Sequence, residues 1–116
     1  MMREQAIVAA YESAKDRLDG MTLLEFSEAL ADADVSPVVV DGVCAGAVIV
    51  SGPEMHACVL PWACGRWMSK RFLTLMGKVM GEYGRIVTFA TTDAGERFVK
   101  RLGFEREGAH WVKYGH

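Results

Sequence analysis

Apolar side chains recur at changing periods along the chain, and each change of period marks an element. Ile7, Ala10, Tyr11, Ala14 and Leu18 come at helical spacing, and Gly20 stands where a helix C-cap glycine would. Thr22-x-x-Glu25 has the form of a capping box, predicting a second helix with Phe26, Ala29 and Leu30 on its inner face. The period then shifts to that of strands in "SPVVVDGVCAGAVIV", where two β-branched runs flank Asp41-Gly42. Such a dipeptide supplies positive φ at a two-residue hairpin turn. Both arms are strongly apolar, which predicts a hairpin well inside a sheet covered on both faces. Gly46 inside the second arm predicts a bulge or a close approach of backbone.

Ser51-Gly52-Pro53 turns the chain, and Met55 to Leu60 reads as a third strand stopped by Pro61. A long helix is predicted from about Arg66 to Tyr83. Met68, Phe72, Leu75, Met76, Val79 and Tyr83 form its apolar stripe, with Lys70, Thr74 and Lys78 opposite and Gly84 closing it. Arg85 to Thr91 reads as a buried strand. A short helix follows, with Asp93 as N-cap, Glu96 at its third position, Phe98, Val99 and Leu102 inward, and Gly103 as the stop. Phe104 to Glu107 and Ala109 to Tyr114 read as closing strands. Trp111 and Lys113 alternate there with His110, Val112 and Tyr114, the pattern of an edge or closing strand with one exposed face. The predicted order is αα-β-β-β-α-β-α-β-β. A right-handed crossover joins two parallel strands beside an antiparallel hairpin, which makes a mixed-sheet α/β (α+β) domain.

Composition narrows the class. With 116 residues, 51% of them hydrophobic and 24% charged, the chain reads as a single domain, 1–116, with its own core. A net charge of −2 gives no general pull toward nucleic acid or anionic membrane. Cys44, Cys58 and Cys64 are odd in number and form no CxxC, and no histidines pair at ligand spacing. This pattern fits reduced thiols in the cytoplasm and offers neither a disulfide frame nor a metal site. No run approaches ~18 apolar residues, and Glu4, Lys15 and Asp16 break up any signal-peptide core, so a soluble, cytoplasmic protein is expected.

The segment "VLPWACGRWMSKRFLTLM", Val59 to Met76, carries the candidate chemistry. It reads as a strand end, a loop with one glycine and a helix start, an arrangement suited to phosphate because the first N–H groups of a helix point outward with partial positive charge. Arg66, Lys70 and Arg71 add cations there. They oppose the helix dipole weakly and favour an anion.

These residues resemble part of the GNAT acyl-CoA N-acyltransferase superfamily. "VVVDGVCAGAVIV" looks like its central antiparallel pair, with a glycine at the place of Gly46. Val59-Leu60-Pro61 is similar to the V-x-P that ends its acetyl-CoA-binding strand, and "ERFVKRLGFERE", Glu96 to Glu107, to the end of its last helix. The resemblance covers roughly residues 36–108; the usual first strand is missing from the amino end. It implies that Cys58, Val59 and Leu60 hold the pantetheine arm of acetyl-CoA, and that Gly65, Arg66, Trp67, Met68, Ser69 and Lys70 hold its pyrophosphate. The family's loop carries R-x-x-G-x-G, or Gln at its first place. Here Cys64 stands at that place, Trp67 and Ser69 stand for the two glycines, and Gly65 remains. Glycines let loop N–H groups wrap a pyrophosphate without a Cβ in the way, and a tryptophan there stands in its path.

Many relatives of that kind use a tyrosine in the last helix as general acid, and Val99 occupies the equivalent place. Glu54 and His56, at the start of the acyl-binding strand, are the candidate base, since an ordinary histidine titrates near neutrality. A structural reading stands beside it, in which His56 is a strand histidine with a satisfied partner. His56 and Cys58 share a strand face, but a Cys–His nucleophile needs a third, orienting group, so Cys58 reads as a small core residue. Cys64 reads as an ordinary loop thiol. Trp62 and Trp67, near Arg66 and Lys70, read as packing against the sheet or a partner rather than as a nucleic acid platform. His110 and His116 read as solvated.

Two functions follow from the resemblance. One is an N-acyltransferase that moves an acetyl group from acetyl-CoA to an amine. The other is a catalytically degenerate GNAT-fold protein, similar to short GNAT-like proteins of tailed phages, acting as a virion-associated or interaction component with a protein partner or as a homo-oligomer.

Overall fold

A computed structural model describes residues 3–115, so His116 lies outside the described residues. Helices α1 (Arg3–Ala14) and α2 (Leu23–Ala29) precede strands β1 (Asp34–Val40), β2 (Val43–Ser51) and β3 (Glu54–Val59). Helix α3 (Lys70–Tyr83), β4 (Arg85–Thr88), α4 (Asp93–Arg101), β5 (Glu105–Glu107) and β6 (His110–Tyr114) complete the chain. The fold is a mixed α+β arrangement around a six-stranded sheet of order β1-β2-β3-β4-β6-β5. No helix among the described residues is long and apolar enough to cross a membrane.

The chain gathers into two compact units, Met1–Ser51 with Ala57–Ser69, and Gly52–His56 with Lys70–His116. Strand β3 contributes to both. In the first unit, Ala6, Ile7 and Ala10 of α1 meet Phe26 of α2 and Ala47 and Ile49 of β2 in a closed apolar cluster. The small alanines let α1 lie close to the strand, and burial of these side chains is the main force holding the unit together. The Tyr11 hydroxyl donates to the Met21 carbonyl at 2.7 Å, and the Arg3 guanidinium donates to the Leu30 and Ala33 carbonyls at 2.6 and 2.9 Å. Those carbonyls lie just beyond the last turn of α2, where a helix leaves acceptors unfilled.

Helix α1 ends at Ala14, earlier than the spacing predicts. A 3-10 turn over Lys15–Arg17 follows, and Asp19 and Gly20 take left-handed φ of 51° and 79°. The capping box of α2 forms as predicted. The Glu25 N–H donates to Thr22 Oγ1 at 3.2 Å, and the Thr22 N–H donates to Glu25 Oε1 at 3.0 Å. The Thr22 N–H holds the Glu25 carboxyl below its ordinary pKa, because the charged form accepts that bond. Only Phe26 of the expected inner face is fully buried; Ala29 is exposed.

The Asp41-Gly42 turn has φ of 53° and 78°, the two-residue left-handed pair that the dipeptide predicts. The hairpin itself is not central. Strand β1 is the sheet edge, and Val39 and Val43 are 48% and 54% exposed, so the apolar arms overstate burial. Pro37 fits an edge, having no N–H to give a further strand. The β1–β2 register shifts between Val38 and Val39, where Val38 faces Gly46 and Val39 faces Cys44. Ala45 is the extra residue of a bulge.

In the second unit β4 runs antiparallel to β6, with Arg85 facing Tyr114 and Thr88 facing Trp111, and parallel to β3 with Glu54 facing Val87. Phe72, Met76 and Val79 of α3 are buried, as are Ile86, Val99, Trp111 and Val112. Strand β6, the closing strand of the chain, lies inside the sheet between β4 and β5, with Trp111 and Val112 buried in succession on opposite faces, so the one exposed face expected of it is not found. Strand β4 stops at Thr88 rather than running to residue 91. Thr92, not Asp93, caps α4, accepting the Gly95 N–H at 3.0 Å, and Asp93 opens the helix.

Candidate functional site

The candidate cofactor residues begin on β3. Cys58 is half-buried and packs against the α1–β2 cluster together with Cys44. Burial pushes its thiol pKa up, so it is a poor thiolate and behaves as packing. Gly46 lies against the backbone of Cys58 and Val59, close enough that only a residue without a Cβ fits. Beside this contact the Leu60 N–H donates to the Ala45 carbonyl at 2.8 Å. Backbone groups of successive strand residues face opposite edges, so this bond turns the Val59 amide to the edge of β3 away from β2.

Past Leu60 the chain does not enter a helix at Arg66 as the sequence suggests. Pro61–Ala63 form a 3-10 turn, Cys64 is extended at φ −58° and ψ 131°, and Gly65 is left-handed at 85°. Neither of these last two conformations continues a right-handed helix, and α3 starts only at Lys70. Ser69, of a residue type favoured at N-caps, comes directly before it. The Ala63 N–H donates to the Leu60 carbonyl, the Cys64 N–H to the Pro61 carbonyl and the Arg66 N–H to the Ala63 carbonyl, so the turn consumes these donors itself. Gly65, Met68 and Lys70 are exposed and Trp67 is half-buried.

Arg66, expected to face an anion, forms an ion pair with Asp41 of the hairpin turn. Sequence reasoning missed this pairing. The two residues are 25 apart, and nothing local to either announces it. Both side chains are largely exposed, so the pair holds weakly and can exchange for another anion.

Glu54 and His56 lie together in the second unit, His56 Nε2 3.5 Å from Glu54 Oε2. His56 stacks on Phe89 with ring centroids 5.4 Å apart and planes 17° apart. Phe89 in turn meets His110 at 4.5 Å. Sheet register explains the row. The parallel pairing of Glu54 with Val87 carries His56 level with Phe89, and the antiparallel pairing of Thr88 with Trp111 carries Phe89 level with His110. Phe89 and His110 were not legible as site residues, because their meeting depends on two strand registers at once. A signal was present only in part, in the apolar run that puts Phe89 on β4's extension.

Val99 is buried in α4, and its aliphatic side chain has no proton to supply. No group of three or more histidine, cysteine or acidic residues among the described residues could hold a metal ion. The anion fit is partial. In the second unit, exposed Lys70 and Arg71 and the first-turn amides of α3 suit a phosphate; in the first, the Cβ of Trp67 and the spent amides of the turn do not suit a wrapped pyrophosphate. Comparison with protein-family models, with curated proteins and with solved structures gives no match to this chain.

Proposed function

We propose that the chain is an N-acyltransferase that uses acetyl-CoA and an amine. The observation that carries this reading is the edge of β3. Leu60 spends its N–H on Ala45, and the Val59 amide is left facing the other way, suited to an extended amide-bearing chain such as pantetheine. The loop that follows has Gly65 in a left-handed conformation and an exposed Arg66, and α3 opens with exposed Lys70 and Arg71; cations of this kind favour the phosphate end of such a molecule.

Acetyl-CoA supplies the acyl group already activated as a thioester. On this reading His56 accepts the proton that the attacking amine must lose; its Nε2 lies 3.5 Å from Glu54 Oε2 and its ring stacks on Phe89, contacts that support an oriented imidazole. The departing thiolate takes its proton from solvent, since Val99 offers none. Rate acceleration then rests on positioning of the two reactants more than on acid catalysis.

The Asp41–Arg66 pair and the buried Val99 favour a second reading, a GNAT-fold protein without catalysis that acts through a protein partner, of the virion-associated kind. Titration with acetyl-CoA separates the two. Binding should raise the stability by about 2.7 kcal/mol at 100 times the dissociation constant. No thermal shift at millimolar acetyl-CoA removes the enzyme reading. If binding is seen, Trp67→Gly should tighten it by removing the Cβ and ring from the phosphate path; weaker binding would make Trp67 itself a contact.

A further inference from the structure

Within the first unit, α1 and the β2–β3 region enclose an open groove of ≈ 460 Å³. That volume lies in the range of small-molecule sites. Its walls are apolar: Val8 and Ala9 of α1, Cys44 of β2 and Leu60 just past β3. Val8 is 44% exposed, an aliphatic side chain facing open space on a helix whose other apolar residues are packed. Glu4 and Glu12 line the same groove, each one helical turn from Val8, so a carboxylate stands at either end of the apolar floor.

One of these carboxylates already holds an ammonium group. Lys15 Nζ lies 2.8 Å from Glu12 Oε2. Glu4 makes no ion pair among the described residues, although it occupies the corresponding place at the other end. An apolar floor removes hydrocarbon from water, and a carboxylate at its end favours a cation and disfavours an anion. Among the described residues no cation lines the groove to reverse that preference.

We infer that this groove receives the acceptor, and that the acceptor is an amine carried on an apolar body, such as an arylalkyl or alkyl amine. The inference rests on the acyltransferase reading, because Leu60 both walls the groove and ends the stretch assigned to the pantetheine arm. Polyamines without an apolar body and apolar carboxylates are poor ligands by the same chemistry.

Calorimetric titration with 2-phenylethylamine, spermidine and phenylacetate, alongside acetyl-CoA, tests it. Phenylethylamine should bind at least tenfold more tightly than either other compound. Glu4→Gln should weaken phenylethylamine about tenfold, and Val8→Lys, which puts an ammonium in the groove, should abolish its binding. Both variants should keep the wild-type circular dichroism spectrum and acetyl-CoA affinity. Acetyl-CoA binding without amine binding, or amine binding indifferent to Glu4→Gln and Val8→Lys, overturns this inference and leaves the acyltransferase reading in place. Amine binding with no acetyl-CoA binding overturns both.

Discussion

A Cβ added to Gly46 would lie 1.9 Å from the carbonyl oxygen of Cys58, far inside any contact distance. The bulge at Ala45 adjoins this approach, at the same place where the Leu60 N–H donates to the Ala45 carbonyl. Geometry at the candidate cofactor strand and the absence of one side chain are thus a single feature. Gly46→Ala should destabilise the protein by about 3 kcal/mol or more, since backbone must move to relieve the clash. Gly42→Ala is the control: a Cβ there meets nothing within 4 Å and costs only the left-handed conformation, about 1 kcal/mol. Urea unfolding measures both, and equal losses would show that no close approach exists.

Asp41 holds Arg66, and an anion arriving at the loop has to displace it. Asp41→Asn keeps a residue tolerant of left-handed φ at the turn and removes the competing charge. Acetyl-CoA affinity should rise several-fold, while stability changes by less than about 1 kcal/mol because the pair is exposed. Unchanged affinity in calorimetry would mean that Arg66 takes no part in binding.

The ring row His56–Phe89–His110 gives separable expectations. If the chain is the acyltransferase proposed above, His56→Gln should lower kcat by roughly 10²–10⁴ with little change in KM, the signature of a lost proton acceptor. Phe89→Ala should lower kcat less, because it removes only the surface that fixes the imidazole plane. A His56→Gln enzyme with wild-type kcat would return His56 to a structural role.

Glu25 links stability to pH. Its carboxyl is held below the ordinary glutamate value in the folded protein by the Thr22 N–H. Its contribution is therefore complete above the unfolded-state pKa and disappears as pH falls through the lowered folded-state value. The stability difference between the wild type and Glu25→Gln should be present at pH 7 and shrink toward zero in acid. A difference that grew on acidification would contradict the capping box.

Elements whose signals are local were legible in the chain itself. The Thr22–Glu25 box, the Asp41-Gly42 turn and the stop at Gly84 each depend on residues within one turn of each other, where φ preferences and short hydrogen bonds act without help from the rest of the molecule. Gly46 announced a bulge or a close approach, and both occur. The start of α3 was misplaced because the apolar stripe continues through Met68, whereas residues 67–69 are not helical and α3 begins only at Lys70. Hydrophobic period reports which side chains can share a face, not where φ and ψ permit a helix to begin.

Composition and period thus determined the types of element, their order and most of their caps. Tertiary structure alone decided that β1 is an edge and β6 an interior strand, that Arg66 answers to Asp41, and that His56, Phe89 and His110 stand in one row. Each of these depends on pairing between segments distant in sequence. Such pairing is fixed by sheet register and by which faces find cover, quantities that no single stretch of residues carries.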